Sequence, residues 1–283
     1  MLKSFLFNAF YPKGQYFEHF NQSKVGIFIC FPLDTFRQQF VLDYLDLLEP
    51  FVVFNEFEIK HKVTGTKSRT LQQDFLQRYS KVYDEINEPK YWERVEFLSK
   101  KNISIEFYYP FHRDQPPNVV FLQMPLMDYN VLENSSVWQS ILQYDFISLY
   151  VFNLNYFYNQ GSLNIFSVEA DGIPSSYYTY MTNDTNDHVV DISQNAGKSV
   201  VITNTWLMAS WKMCFGNKFY DLVSKEKLLN FTNAESIKEI EDGKVFIDLY
   251  KEFNEPHFRK NREKQLIFLK CIQYDLLVKK DRE

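Results

Sequence analysis

Gly197, Lys198 and Ser199 are the residue types that close a phosphate-binding loop, in which backbone N–H groups cradle phosphate, the lysine reaches its oxygens and the hydroxyl holds magnesium. The glycine needed five positions earlier is Ile192, so the cradle is incomplete and a plain loop before a strand is expected. His112, Arg113 and Asp114 match the catalytic loop of phosphotransfer enzymes, whose aspartate accepts the substrate proton and whose asparagine, five residues on, holds magnesium. Here the fifth residue is Val119, with Asn118 one place early, and Asp128 lacks the following glycine that a magnesium-binding Asp-Phe-Gly would supply. A degenerate phosphotransferase using Asp114 is the enzyme alternative that these residues leave open.

Cys214 is a third candidate, as a nucleophile, but Met213 and Phe215 beside it point to a core thiol, and no base can be nominated. Cys30 and Cys271 also lie in apolar runs, so all three cysteines read as reduced and structural. The five histidines form no i, i+4 pair and none lies near two cysteines, so no metal and no cofactor is expected. Eight glycines in 283 residues leave few tight phosphate turns, and 18% aromatic content points to a core of flat rings.

Charge is distributed unevenly. Residues 114–197 contain no lysine or arginine, although the chain has 31, and they carry Asp114, Asp128, Glu133, Asp145, Glu169, Asp171, Asp184, Asp187 and Asp191 among fourteen aromatic residues. Acids steer a basic partner and rings supply buried area, so this composition suits a protein-docking face. The alternative is core strands, which exclude lysine anyway, with acids at their turns. Within this segment the tyrosine-rich run 172–187 has no period and reads as a surface loop, where binding residues collect. Asp171, Tyr177, Tyr178, Tyr180, Asp184 and Asp187 are therefore the expected contact residues. Net charge −5 argues against nucleic acid as a partner. With no long apolar run and no signal-like start, no membrane span and a cytoplasmic location are expected.

The elements that must position these residues follow from periodicity. Strands are expected at 24–30, 53–63, 103–109, 119–124, 146–152 and 200–203, and a turn at Thr64, Gly65 and Thr66. Helices are expected from an Asp34 cap to residue 48 before Pro50, over 71–86 with the clearest 3.6-residue repeat, over 89–100, and over 138–142 capped by Ser135 or Ser136. Residues 205–215 are apolar without a period, 225–229 make a helical turn, and 236–241 and 244–250 form a hairpin about Asp242-Gly243. A helix over 261–277 closes the chain, its cations forming a wet face. The fold class is α+β, with mixed or antiparallel sheets and packed helices, divisible into subdomains 1–128 and 129–283.

From residue 190 onward the succession Asp191-Ile-Ser-Gln-Asn-Ala-Gly-Lys, Trp206, Ala209-Ser-Trp-Lys-Met-Cys-Phe-Gly216, Lys225-Glu-Lys-Leu-Leu-Asn-Phe231 and Val245-Phe-Ile-Asp-Leu-Tyr250 resembles immunity-protein-like families of bacterial polymorphic toxin and interbacterial competition systems. The resemblance spans about residues 190–277. It departs at Ala196-Gly197-Lys198, where Pro-Gly-Arg would be usual, and at Cys214, where a second tryptophan would be. It implies a cytosolic protein that performs no catalysis and neutralises a cognate toxin effector domain, commonly basic, by direct binding and occlusion. It supplies no catalytic residues. An adaptor or scaffold for some other basic protein would read the same way.

Overall fold

A computed structural model describes residues 24–33, 35–36, 38–61, 65–70, 92–108, 118–164, 176, 178–183, 185–202 and 205–282. Its central strand is β1 (Lys24–Phe31), buried from Val25 onward. No alternation is visible in Val-Gly-Ile-Phe-Ile-Cys-Phe because both sheet faces are covered at this strand. β1 lies between β6 (Asn118–Pro125) and β7 (Ser148–Asn153), with Phe28 opposite Phe121 on one side and Tyr150 on the other. On the β6 side the sheet continues through β5 (Ser104–Tyr108), β4 (Trp92–Leu98), β2 (Glu56–His61) and β3 (Gly65–Thr70). On the β7 side it continues through β12 (Lys212–Phe215), β14 (Val245–Asp248) and β13 (Ser236–Glu239). Every pairing is antiparallel, and the sheet runs unbroken across residue 128 through the β1–β7 ladder. With the helices described next, this is an α+β fold.

Register places Phe28, Phe121, Tyr150 and Met213 on one face, and Ile29, Val120, Leu149 and Cys214 on the other. The first face receives α4 (Leu154–Gly161), the hairpin of β10 (Ser199–Ile202) and β11 (Thr205–Met208), and α6 (Arg259–Cys271). Their rings meet the sheet directly: Phe28 lies 5.3 Å from Phe157 and 5.1 Å from Trp206, and Phe215 stacks on Phe268 at 6.1 Å. The second face receives α1 (Gln38–Leu48), α2 (Leu126–Glu133) and α3 (Ser136–Gln143), with Tyr44 edge-on to Phe107 and Tyr129 edge-on to Trp138. Edge-to-face rings at such distances add about 0.5–1.5 kcal/mol each beyond their buried area. Ser135 caps α3, accepting from the Trp138 N–H, as its position before the apolar run requires.

Several expectations are corrected. Residues 92–98 form a strand, not the helix expected over 89–100: Val95 and Phe97 are buried while Arg94 and Glu96 take the opposite face, and pairing to β2 and β5 overrides a local spacing that also fitted 3.6. Gly65 and Thr66 open β3 and are not turn residues. Residues 205–215 resolve into β11 and β12, and the loop expected over 172–187 contains β8 (Tyr180–Thr182), paired with β9 (His188–Val190). α2 and α4 arise where no helix was expected, α4 being capped by Asn153, which accepts from Tyr156 N–H. The terminal helix breaks at Gln273, whose φ of 58° ends α6 before α7 (Tyr274–Arg282). Between these, α5 (Lys225–Leu229) is the expected helical turn. The 71–86 helix and the Asp34 cap lie outside the described residues.

Candidate functional site

The β8–β9 hairpin is held at its base by buried polar contacts. Gln160 of α4 donates from Nε2 to the Tyr178 hydroxyl at 3.0 Å, and its Oε1 accepts the Gly197 N–H at 2.9 Å. The Arg262 guanidinium lies 5.5 Å from the Tyr178 ring centre, and the Asp191 and Val190 N–H groups bond the carbonyls of Thr179 and Leu163. At the tip, Asn183 Oδ1 accepts the N–H groups of Thr185 and Asp187, while Thr185 Oγ1 donates to Asp187 Oδ2 at 2.6 Å. The bonds from Thr185 and Asn183 hold the exposed Asp187 carboxyl below the usual range. Tyr180 stacks on His188 at 5.2 Å, and Met181 is 45% exposed.

Of the six expected contact residues, Asp187 lies exposed at the tip of this hairpin, while Tyr180, opposite Val190 at its base, is half-buried against the Tyr178–Val190 cluster. Tyr178 is instead buried as its anchor. Asp171, Tyr177 and Asp184 lie outside the described residues, as do Asp114 and Glu169. The remaining acids of the cation-free segment are dispersed: Asp191 caps the 3-10 turn at Ser193, Asp128 sits in the first turn of α2, and Glu133 and Asp145 have Lys212 and Lys218 as counter-ions. Sequence separation concealed those two pairings.

The catalytic candidates have other uses. Lys198 donates to the Ser193 carbonyl at 2.7 Å and contacts Asp275, while Gly197 N–H is taken by Gln160, so neither faces an open phosphate cradle. Asn118 spends its amide on the carbonyls of Pro32 and Leu33. Burial pushes the Cys214 thiol up to about 12, against the pull of Lys244, which makes it a poor nucleophile. No set of three His, Cys, Asp or Glu among the described residues is arranged to hold a metal ion, and no described helix is long and apolar enough to cross a membrane.

No family model matches the chain, and no curated protein matches it. Among solved structures, Pseudomonas aeruginosa T6SS protein PA0821 is similar at 10% identity and a TM-score of 0.45, over 89% of this chain and 75% of that one.

Two charged clusters went unnoticed in the sequence. On the first sheet face, buried Glu106 accepts from Arg94 at 3.0 Å, from Gln123 at 2.6 Å and from Tyr108, and Arg94 also contacts Glu58 and Glu96. Burial, then the nearby Glu106 charge, pushes the Glu96 carboxyl up to about 7 despite Arg94. On the second face, at the other end of the sheet, α3 and the β13–β14 hairpin line a half-open cavity of about 760 Å³. Glu133 and Asp248 share the Lys212 ammonium there, Asp248 at 3.8 Å, and Lys212 lies 4.5 Å from the Trp211 ring centre. The available signal was one cation within the apolar run Ala209 to Gly216 and one acid within Val245 to Tyr250.

Proposed function

We propose that this protein is an immunity protein, binding a cognate toxin domain in the cytoplasm and occluding its active site. The reading is supported by the resemblance over residues 190–277 and, in the geometry, by one feature above all: a stiffened hairpin, free of lysine and arginine, that presents Asp187 and a Tyr180–His188 stack. No chemistry is required. Acids at an exposed tip accelerate encounter with a basic surface, and a few rings and apolar side chains hold the complex once formed. Asp171, Tyr177 and Asp184 complete the proposed contact set.

The test is to look for a toxin domain in the neighbouring reading frame and to co-produce it with this chain. The wild-type chain should restore growth and form a one-to-one complex. Asp187→Lys should slow association roughly tenfold, and the wild-type rate should fall as salt is raised. A toxin that shows no binding and no loss of toxicity in the presence of this chain would refute the reading.

A further inference from the structure

The ten-stranded sheet ends at β13, and its hairpin bonding phase shows which way that strand's backbone points. The Ile240 N–H donates to the Lys244 carbonyl at 2.8 Å, closing a three-residue loop in which Asp242 and Gly243 have φ of 60° and 75°. Ladder bonds in an antiparallel pair alternate, so Lys238, opposite Phe246, is the next residue to bond β14. Ile237 and Glu239 must then direct their N–H and C=O groups away from the sheet. Ser236, Lys238 and Glu239 are exposed, and among the described residues no strand but β14 pairs with β13, which offers this edge to another strand.

The cavity lies beneath the same edge, with Lys238, Glu239, Glu241 and Asp248 in its lining. Four carboxylates, Glu133, Glu239, Glu241 and Asp248, line it against two ammoniums: Lys212, shared by Glu133 and Asp248, and Lys238, whose Nζ sits over the Phe246 ring at 5.1 Å. The lining therefore carries net negative charge, with Glu239 also paired to Lys225 and with the Tyr129 and Ser236 hydroxyls donating to Glu133 and Asp248. A strand added to β13 alternates its side chains between the faces, so every second one points toward this space.

We infer that β13 receives an extended segment of a partner chain by strand addition, with an arginine or lysine of that segment entering the cavity to meet Glu133 and Asp248. Backbone bonds to Ile237 and Glu239 would give affinity, and the cavity would select a cation. The inference rests on the immunity reading only for the identity of the chain that supplies the segment.

The probe is a labelled octapeptide of alternating threonine and arginine, compared with one of alternating threonine and glutamate. The arginine peptide should bind the full chain and the glutamate peptide should not. Glu239→Pro removes an outward N–H without breaking a ladder bond and should weaken binding at least tenfold, and by clearly more than Glu239→Ala, which loses the lining carboxylate but keeps the N–H. Asp248→Asn should also weaken it. Should Glu239→Pro fail to fold, hydrogen exchange on the wild type decides: the Ile237 and Glu239 amides should become protected when the arginine peptide is added. No peptide binding, equal effects of the proline and alanine variants, unprotected edge amides, or a β13-mediated dimer would each overturn the inference. Toxin that binds wild type and Glu239→Pro alike overturns it and leaves the immunity reading standing. Toxin that binds neither sinks that reading, and the peptide arm still decides this one.

Discussion

Gly216→Ala should be among the most damaging single-methyl additions in the chain. A Cβ at this position would sit 1.9 Å from the Phe146 carbonyl oxygen and 3.1 Å from its carbon. Carbon–oxygen contacts settle near 3.3 Å, so one backbone must retreat by about 1.4 Å. The obstacle is main chain and cannot rotate aside. The Gly216 φ of −85° is open to any residue, so the penalty is wholly one of contact. The displacement also pulls on the bond from Gly216 N–H to the Ile147 carbonyl, 2.9 Å long, where β12 joins β7. Overpacking at about 1–3 kcal/mol plus a lost buried bond at about 1 kcal/mol gives a loss of about 3 kcal/mol. Urea unfolding followed by tryptophan fluorescence should show the midpoint falling by about 1 M or more. A change under about 0.5 kcal/mol would refute the claim that this glycine is required by the approach of Phe146.

Glu96→Gln should remove a pH dependence. A carboxyl raised to about 7 in the fold keeps its proton while the unfolded chain releases its own near the ordinary 4.5, so wild-type stability should fall as pH rises from about 4.5 to about 7. The variant should be the more stable above pH 7, by an amount on the order of 3 kcal/mol, with little difference at pH 4.5, measured as urea midpoints. In native protein a thiol reagent at pH 8 should modify Cys271, which is half-buried, and should reach Cys30 and Cys214 only on unfolding. Gln160→Ala removes partners of both Tyr178 and Gly197, so it should loosen the β8–β9 hairpin by about 2 kcal/mol, read as faster hydrogen exchange at residues 179–190.

Local chemistry made some of this architecture readable. The Asp242-Gly243 step announces a hairpin because both residues adopt positive φ, and Ser135 announces a helix because its side chain can replace a missing backbone acceptor. Residues 92–98 misled because Trp92, Val95 and Leu98 fit a helix while Val95 and Phe97 fit a strand, and partners remote in sequence decided between them. At the candidate site, the acidic, aromatic composition led to the β8–β9 hairpin, but nothing local distinguishes the buried ring of Tyr178 from the half-buried ring of Tyr180 stacked on His188. The cavity was invisible for a simpler reason: Glu133, Lys212 and Asp248 are brought together only by the completed sheet.

The position of β1 has a consequence for synthesis. Its two neighbours are β6, which begins at Asn118, and β7, which ends at Asn153, so the apolar strand Val25–Phe31 must wait for both. At ordinary translation rates the delay is on the order of ten seconds, during which an aggregation-prone ribbon has no permanent mate. Nascent chains stalled short of residue 153 should depend on chaperones, whereas those released beyond it can bury the strand on both flanks.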